Sequence, residues 1–198
     1  MATFILVHGG FWGGWCWKKV KKFLESKTHI VYTPTLTGLG ERSHLNHAMI
    51  NVDTHIQDIT NLIIFEDLHD IILVGHSYAG LVITGVASAL PERIKQLIYL
   101  DALVPDNGDS LLTLADNETA QFFVSQAQEK GYGWLIPPFP IDETDFADKN
   151  EINWYTSRLT PQALNSFSQK ISFNKEVVSK IHTSFIHCRV SSFLRYIH

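Results

Sequence analysis

The chain has 198 residues, of which 45% are hydrophobic and 18% charged, a composition typical of a folded globular protein and not of a disordered or collagen-like one. Sixteen Lys and Arg against twenty Asp and Glu give a formal charge of −4, which excludes the basic field that a nucleic-acid partner requires. At this length a single main domain buries a sizeable core without metal or disulfide.

The two cysteines, Cys16 and Cys188, are too few for a disulfide framework and lack the spacing of a zinc or redox motif. We expect both to be buried, in a protein of a reducing compartment. The short apolar run at the amino terminus has no basic region ahead of it, and the uncharged internal stretch of residues 78–90 is too short to span a bilayer. The sequence therefore predicts a cytoplasmic protein with no signal peptide and no membrane partner.

The first half of the chain alternates short apolar runs with segments of helical periodicity, which predicts parallel strands joined by crossover helices. Residues 4–7 form an apolar run that ends at His8-Gly9-Gly10, as expected for a buried strand followed by a turn. A helix is predicted next, with lysines facing water and with a buried stripe formed by Trp17, Val20, Phe23 and Leu24.

Two further strands and helices follow the same alternation. Residues 29–33 form a second strand that Pro34 stops, and Asn51 is the predicted N-cap of a helix with a buried face of Val52, Ile56, Ile59 and Ile63. A third strand, residues 70–74, runs through the segment 75–80 into a helix that continues to Leu90. A fourth strand, residues 96–100, ends at Asp101.

The pattern changes after Pro105, where strands disappear and residues 110–181 become mixed and largely helical. We interpret residues 110–181, called the cap segment below, as a helical cap inserted over the carboxyl edge of the sheet. A strand pattern returns at residues 183–187. The predicted organisation is a core of residues 1–109, a cap of residues 110–181, and an incomplete return to the core over residues 182–198.

The strongest chemical signal is an apolar strand, then Gly75-His76-Ser77-Tyr78-Ala79-Gly80, then a helix. A serine on so sharp a strand-to-helix turn stands above the edge of the sheet, and the residues two before and two after it must be small. Ser77 is therefore the candidate nucleophile. The motif has Ala79 where glycine is usual, and we expect the turn to accommodate that one methyl group. The alternative is a serine in an ordinary glycine-rich turn, but the flanking strand and helix favour the nucleophile.

Acyl transfer also needs hydrogen-bond donors for the oxygen that becomes negative, and two main-chain amides usually supply them. Tyr78, directly after the candidate nucleophile, offers one amide. Gly10, in the turn after the first strand, offers the second, because a glycine lets the main chain approach a substrate closely. His8 beside it is a possible base, but a buried histidine bonded to the main chain is the better interpretation.

These motifs, taken together, resemble the α/β-hydrolases, in particular the subgroup of plant methyl-ester esterases, hydroxynitrile lyases and bacterial esterase-like proteins. The resemblance covers about residues 3–188 and is carried by residues 4–10, 13–17, 34–42, 75–80 and 99–105. It implies the α/β-hydrolase fold, a mostly parallel sheet with crossover helices and a helical cap. It also implies hydrolysis of a small-molecule ester through an acyl-enzyme on Ser77, with the Gly10 and Tyr78 amides as oxyanion hole and with no cofactor or metal.

The resemblance also shows what is missing. In that family the acid commonly follows the strand that here is residues 183–187, and the catalytic histidine follows one more strand. Residues 188–192 occupy the position of the acid and contain no carboxylate. A further helix, strand and loops would require about 30 residues. We therefore expect the chain to be incomplete at its carboxyl end, without the last strand and helix.

The partners of Ser77 stay open at this point. Asp101 follows the strand beside that of the serine, a position that some α/β-hydrolases use for the acid, but a capping or loop carboxylate is an equal interpretation. No histidine is assigned as base among His182, His187 and His198, and His76 suits a structural or pocket-wall role. Without an imidazole the serine hydroxyl is a weak nucleophile, so the activity of this form stays open.

Aromatic residues after the first strand and in the cap segment form a predicted apolar chamber over Ser77: Phe11, Trp12, Trp15, Phe122, Phe123, Trp134 and Phe139. Each of them alone is better explained by packing. As a group they favour an apolar or aromatic ester over a sugar or peptide. Phe11 and Trp134 are the predicted substrate-binding residues.

The sequence leaves two alternative functions and one possible oligomeric state undecided. A hydroxynitrile-type lyase on the same fold is disfavoured, because the family's lyases carry a threonine at the oxyanion position where this sequence has Gly10. A catalytically inactive ligand-binding relative would keep the pocket and lose the triad. A homodimer through the cap rests only on analogy between folds.

Overall fold

A computed structural model describes residues 1–139 and 149–188. Its main sheet has five parallel strands in the order β2-β1-β3-β4-β7. The strands are β1 (Thr3–Val7), β2 (Ile30–Tyr32), β3 (Ile71–Ser77), β4 (Ile94–Ala102) and β7 (His182–Ile186). The predicted α/β architecture with a mostly parallel sheet is confirmed.

Helices and one small sheet connect these strands. The helices are α1 (Lys18–Ser26), α2 (Val52–Phe65), α3 (Ala79–Ala89), α4 (Leu111–Leu114), α5 (Asn117–Lys130), α6 (Lys149–Thr156), α7 (Leu164–Ser168) and α8 (Lys175–Val178). The small antiparallel sheet pairs β5 (Leu135–Ile136) with β6 (Gln162–Ala163). Short 3-10 turns lie at Gly14–Trp17, Gly40–Leu45 and Pro91–Arg93.

The larger part of the core lies between the sheet and the pair α2 and α3. The Asn51 side chain accepts a hydrogen bond from the Thr54 amide at 3.0 Å, so the predicted N-cap of α2 is confirmed. Ile59 and Ile63 are fully buried, and the middle of α3 is buried all round. A helix that is apolar on every side fits only between other elements, so α3 is the central helix behind β3.

The opposite face of the sheet has a smaller core, in which Trp17 of the turn before α1 packs with Leu6, Val31 and Val74. The predicted buried stripe of α1 is wrong at two positions, because Val20 and Phe23 are 42% and 61% exposed. The reason is the position of α1, which packs near β2 at the edge of the sheet. An edge strand covers only part of a helix face.

Within the cap segment, the strands β5 and β6 interrupt the helices, which the sequence pattern did not indicate. Phe167 of α7 and Ile171 after it belong to the main core, and Gln162 of β6 is 1% exposed. The end of the cap segment is therefore packed into the core that α2 and α3 form.

The two cysteines differ. Cys16 is half-buried, and burial raises the pKa of its thiol to about 12. Cys188 is exposed, so the expectation that both are buried is wrong. It follows β7, which among the described strands pairs with β4 alone. Within residues 1–139 and 149–188, no helix has the length and apolar character needed to cross a membrane.

Candidate active site

Ser77 lies at the carboxyl end of β3, where the chain turns directly into α3. Its φ angle is 53°, in the left-handed region that non-glycine residues rarely adopt. Such strain persists only where the surrounding structure holds it, and it is frequent at functional sites. The serine is half-buried, at the carboxyl edge of the parallel sheet.

The small residues around Ser77 make this sharp turn possible. A Cβ on Gly75 would meet the Ala79 carbonyl oxygen at 2.8 Å, so the residue two before the serine has to be glycine. Ala79 itself is fully buried and fits, as expected. The greater restriction is at the next position, because a Cβ on Gly80 would lie 1.8 Å from the Leu103 carbonyl oxygen.

Two main-chain amides near Ser77 are of particular interest, those of Gly10 and Tyr78. Among the turn and loop hydrogen bonds of the described residues, none is donated by either amide. The Tyr78 amide lies at the start of α3, where the helix dipole favours negative charge. Amides without a partner in the fold are available as donors to an oxygen that becomes negative.

The turn after β1 lies directly against the serine. A Cβ on Gly9 would be 3.1 Å from the Ser77 Cβ and 3.0 Å from the His76 Nδ1 atom. A Cβ on Gly10 would be 3.0 Å from the Phe167 ring. The two glycines therefore allow the turn to fit between the serine and the end of the cap segment.

His8 holds this turn and is not placed as a base. Its Nε2 atom accepts a hydrogen bond from the Leu36 amide at 3.0 Å, so its Nδ1–H donates to the Gly9 carbonyl at 2.8 Å. The ring is fully buried, and burial lowers its pKa from 6.5 to about 3. Both ring nitrogens are occupied, so the structural interpretation of His8 fits its position.

Phe11 is held by residues that the sequence analysis did not single out. Its φ angle is 68°, again in the left-handed region. Its amide donates to the Gln162 side-chain oxygen at 2.8 Å, and its carbonyl accepts a hydrogen bond from the Thr160 amide at 3.0 Å. Residues 160–162 lie about 150 positions away along the chain, so no local pattern could have indicated these contacts.

Tyr78 is also held by a residue that the sequence analysis missed. Its side chain is 1% exposed, and its hydroxyl donates to the Nδ1 atom of His55 at 2.8 Å. The His55 Nε2–H donates to the Thr37 carbonyl at 3.0 Å. Burial lowers the pKa of His55, which keeps the ring neutral, and raises the pKa of Tyr78, which keeps the hydroxyl protonated.

Asp101 is a buried carboxylate at the end of β4, with a φ angle of 44°. One carboxylate oxygen accepts a hydrogen bond from the Cys188 amide at 3.2 Å and lies 3.3 Å from the His187 Nδ1 atom. His187 lies just past β7, where the sequence pattern had placed it within the strand. The structure therefore brings Asp101 and His187 together.

The remaining histidines occupy other places. His76 packs edge-on against the Trp17 ring, with centroids 6.4 Å apart, and burial lowers its pKa. This position agrees with a structural role. His182 is exposed at the start of β7. His198 and residues 189–192 of the predicted acid loop lie outside the described residues.

The predicted aromatic chamber divides into two clusters. Phe11 and Phe123 join Phe139 and Phe167 through ring contacts of 5.1–5.7 Å, and Phe122 joins them through Phe139 at 5.2 Å. The second cluster comprises Trp12, Trp15, Trp154 and Tyr155. Trp134 lies half-buried before β5, and its carbonyl accepts a hydrogen bond from the Leu164 amide.

A groove of about 420 Å³ lies between α1 and α6, with Lys18, Lys22 and Trp154 among its lining residues. None of the candidate residues around Ser77 lines it. In the part of the chain that the structure describes, no three His, Cys, Asp or Glu side chains are grouped as metal ligands would be. The chemistry that this site suits is attack of a serine oxygen on a carbonyl carbon.

Comparisons with known proteins agree with this arrangement. A model described as the alpha/beta hydrolase family matches residues 4–181. A carbendazim-hydrolysing esterase of Nocardioides sp. (strain SG-4G) is 43% identical over 180 residues, which cover 86% of this chain and 73% of that protein. Methylesterase 1 of Arabidopsis thaliana is 30% identical over 143 residues, which cover 71% of this chain and 53% of that protein.

A solved structure shows the same fold. The extracellular alpha/beta-hydrolase of a Paenibacillus species has a TM-score of 0.81 and is 26% identical. The match covers 93% of this chain and 76% of that one. The chain thus spans about three quarters of the bacterial relatives and about half of the plant methylesterase.

Proposed function

The chain belongs to the alpha/beta hydrolase family and is similar in sequence to named esterases, and we propose that it cleaves small carboxylic esters through an acyl-enzyme on Ser77. The observation that carries this proposal is the pairing of a strained serine with two amides that make no turn or loop hydrogen bond within the described chain. The named esterases among the relatives support the reaction type.

The reaction has two steps. The Ser77 oxygen attacks the ester carbonyl carbon and loses its proton to a base, and the Gly10 and Tyr78 amides bind the oxygen that becomes negative. The alcohol then leaves with a proton, and an ester bond joins the acyl group to Ser77. Water cleaves that bond in the same way and restores the serine.

Asp101 is the proposed carboxylate that orients the base. Its support is a buried position at the carboxyl end of β4, next to the strand that carries Ser77. His187 is the described histidine whose ring nitrogen faces this carboxylate, so it is the first histidine to test as base. A carboxylate that bonds one imidazole nitrogen leaves the other free to accept a proton.

The proposed substrate is an apolar or aromatic ester. The cluster of Phe11, Phe123, Phe139 and Phe167 supports this, because Phe11 directly follows Gly10 in the turn beside Ser77. Phe11 and Trp134 remain the proposed substrate-binding residues. An apolar wall binds such a group mainly by excluding water from it.

A test of this proposal combines an ester and a covalent probe. Nitrophenyl acetate hydrolysis and labelling by a serine-directed fluorophosphonate would be measured for the parent protein, Ser77→Ala and a control, Ser179→Ala. Ser179 is exposed, and its hydroxyl bonds only the nearby Glu176 carbonyl among the described residues.

We expect the parent and Ser179→Ala to be labelled and to hydrolyse the ester, and Ser77→Ala to do neither. Hydrolysis that persists in Ser77→Ala would overturn the proposal. A folded parent protein that neither reacts with the probe nor turns over the ester would also overturn the proposal for this chain and favour the ligand-binding alternative.

A further inference from the structure

The turn that carries Gly10 does not hold its conformation by itself. Phe11 has a φ angle of 68°, which costs free energy for any residue with a side chain. Both main-chain groups of Phe11 are bonded to the same short segment, the amide to the Gln162 side chain and the carbonyl to the Thr160 amide. Residues 160–162 therefore hold Phe11 on both sides.

Gln162 is suited to this role because its side chain lies in the core and not at the surface. It is 1% exposed, and a Cβ on Gly10 would lie 3.1 Å from its side-chain oxygen. Its amide nitrogen donates to the Ser166 hydroxyl at 2.9 Å, and that hydroxyl donates to the Ala163 carbonyl at 2.7 Å. All its polar atoms are thus directed at neighbours in the core.

The segment that carries Gln162 also contacts the other side of the site. The Phe167 ring lies 5.7 Å from the Phe11 ring and 5.4 Å from the Tyr78 ring, between centroids. The Tyr78 hydroxyl donates to His55, and His55 donates to the Thr37 carbonyl. The segment therefore lies against both Phe11, which follows Gly10, and Tyr78.

We propose that Gln162 is a positioning residue of the oxyanion hole. It fixes the turn that presents the Gly10 amide, because its side-chain oxygen accepts the hydrogen bond of the next amide, that of Phe11. This inference rests on the function proposed above. Donors that are already fixed need no rearrangement when charge develops on the substrate, and their displacement slows the reaction.

The test compares Gln162→Leu with Gln162→Glu. Leucine is of similar size and removes the acceptor for the Phe11 amide, whereas glutamate keeps a carboxyl oxygen there. Gln169→Leu is the matched control, since Gln169 lies in the same segment and its amide bonds Asp53 at the surface. The readouts are the fluorophosphonate labelling rate of Ser77, kcat and KM for nitrophenyl acetate, and amide hydrogen exchange of residues 10–11.

We expect Gln162→Leu to lower kcat and the labelling rate by about 10- to 100-fold at nearly unchanged KM, and to speed exchange at residues 10–11. Gln162→Glu should recover most of both rates, and Gln169→Leu should match the parent. A folded Gln162→Leu that reacts at the parental rate and exchanges no faster would overturn the inference while leaving the proposed function intact.

A second variant covers the case in which Gln162→Leu does not fold. Ser166→Ala keeps Gln162 and removes the hydroxyl that accepts a hydrogen bond from its side-chain amide. We expect it to lower kcat and the labelling rate by about 3- to 10-fold, again with little change in KM. Parental rates in folded Ser166→Ala would overturn the inference, and a parent protein that never reacts would end both proposals.

Discussion

Gly9 lies so close to Ser77 that a Cβ on the glycine would be 3.1 Å from the serine Cβ. Contacts of this kind require a neighbour to move, and here the neighbours are the strained serine and the half-buried His76 ring. We expect Gly9→Ala to lower the free energy of unfolding by about 1–3 kcal/mol and to slow fluorophosphonate labelling. Urea unfolding and labelling rates would measure both effects.

Gly80→Ala provides the comparison for that variant. Its Cβ would lie 1.8 Å from a main-chain oxygen, which cannot move aside as a side chain can. We expect this variant to yield no folded protein. A Gly9→Ala protein as stable and as reactive as the parent would show that the turn after β1 is not packed against the serine.

The hydroxyls of Thr84 and Tyr99 form a pair between α3 and β4. Tyr99 donates to Thr84 at 2.7 Å, and Thr84 donates to the Gly80 carbonyl at 2.7 Å. Thr84→Val should lower the free energy of unfolding by about 1–3 kcal/mol, because the buried Tyr99 hydroxyl loses its acceptor. In the Thr84→Val protein, the further substitution Tyr99→Phe should lower the free energy of unfolding by less than it does in the parent protein. An equal loss in the two proteins would contradict this pairing.

The two buried histidines His8 and His55, together with the half-buried His76, predict a loss of stability in acid. Burial lowers the pKa of each in the folded protein, that of His8 to about 3, whereas the unfolded chain titrates near 6.5. Below pH 6.5 the unfolded state therefore binds protons that the folded state does not, and the stability falls as the pH falls. His8 alone accounts for about 2 kcal/mol between pH 7.5 and pH 5.

Urea unfolding at pH 7.5 and pH 5 measures this difference. His8→Gln should reduce the loss between the two pH values, even though its stability at pH 7.5 is lower than that of the parent. His44→Gln is the control, because His44 is exposed, and its pH dependence should equal that of the parent. An equal pH dependence in His8→Gln would contradict the assignment of a neutral, buried His8.

Asp101→Asn distinguishes the two roles of this residue. Asparagine tolerates the left-handed conformation of Asp101 and can still accept a hydrogen bond from the Cys188 amide. If the carboxylate orients the base, as proposed, kcat should fall by about 10²- to 10⁴-fold at similar KM. Parental kcat in a folded variant would identify Asp101 as a carboxylate that only ties the end of β7 to β4.

The features that the sequence predicted well are local ones. The turn at Ser77 depends on glycines within five positions of it, and the N-cap at Asn51 on a residue three positions later. The parallel arrangement of the strands also follows, because segments of helical periodicity separate the apolar runs and parallel strands require such crossovers. These patterns are visible in one sequence, since each is set by neighbours along the chain.

The features that the sequence did not predict depend on distant partners. Gln162 bonds a residue 151 positions before it, and the Asp101 carboxylate lies against His187, 86 positions after it. Val20 and Phe23 match a buried helix face in the sequence but are exposed, because helical periodicity does not show how much of α1 the sheet covers. Trp12 and Trp15 likewise pack with Tyr155 and Trp154, and these partners lie too far along the chain for a local pattern to indicate them.

The contact between Phe11 and residues 160–162 also bears on the order of events during synthesis. The strands β1 to β4 are all encoded before residue 103, so they leave the ribosome well ahead of Gln162. Domains generally fold as units as the chain emerges. Because Phe167 and Ile171 of the same late segment belong to the main core, we expect the core and the turn at Phe11 to form only after most of the polypeptide has been translated.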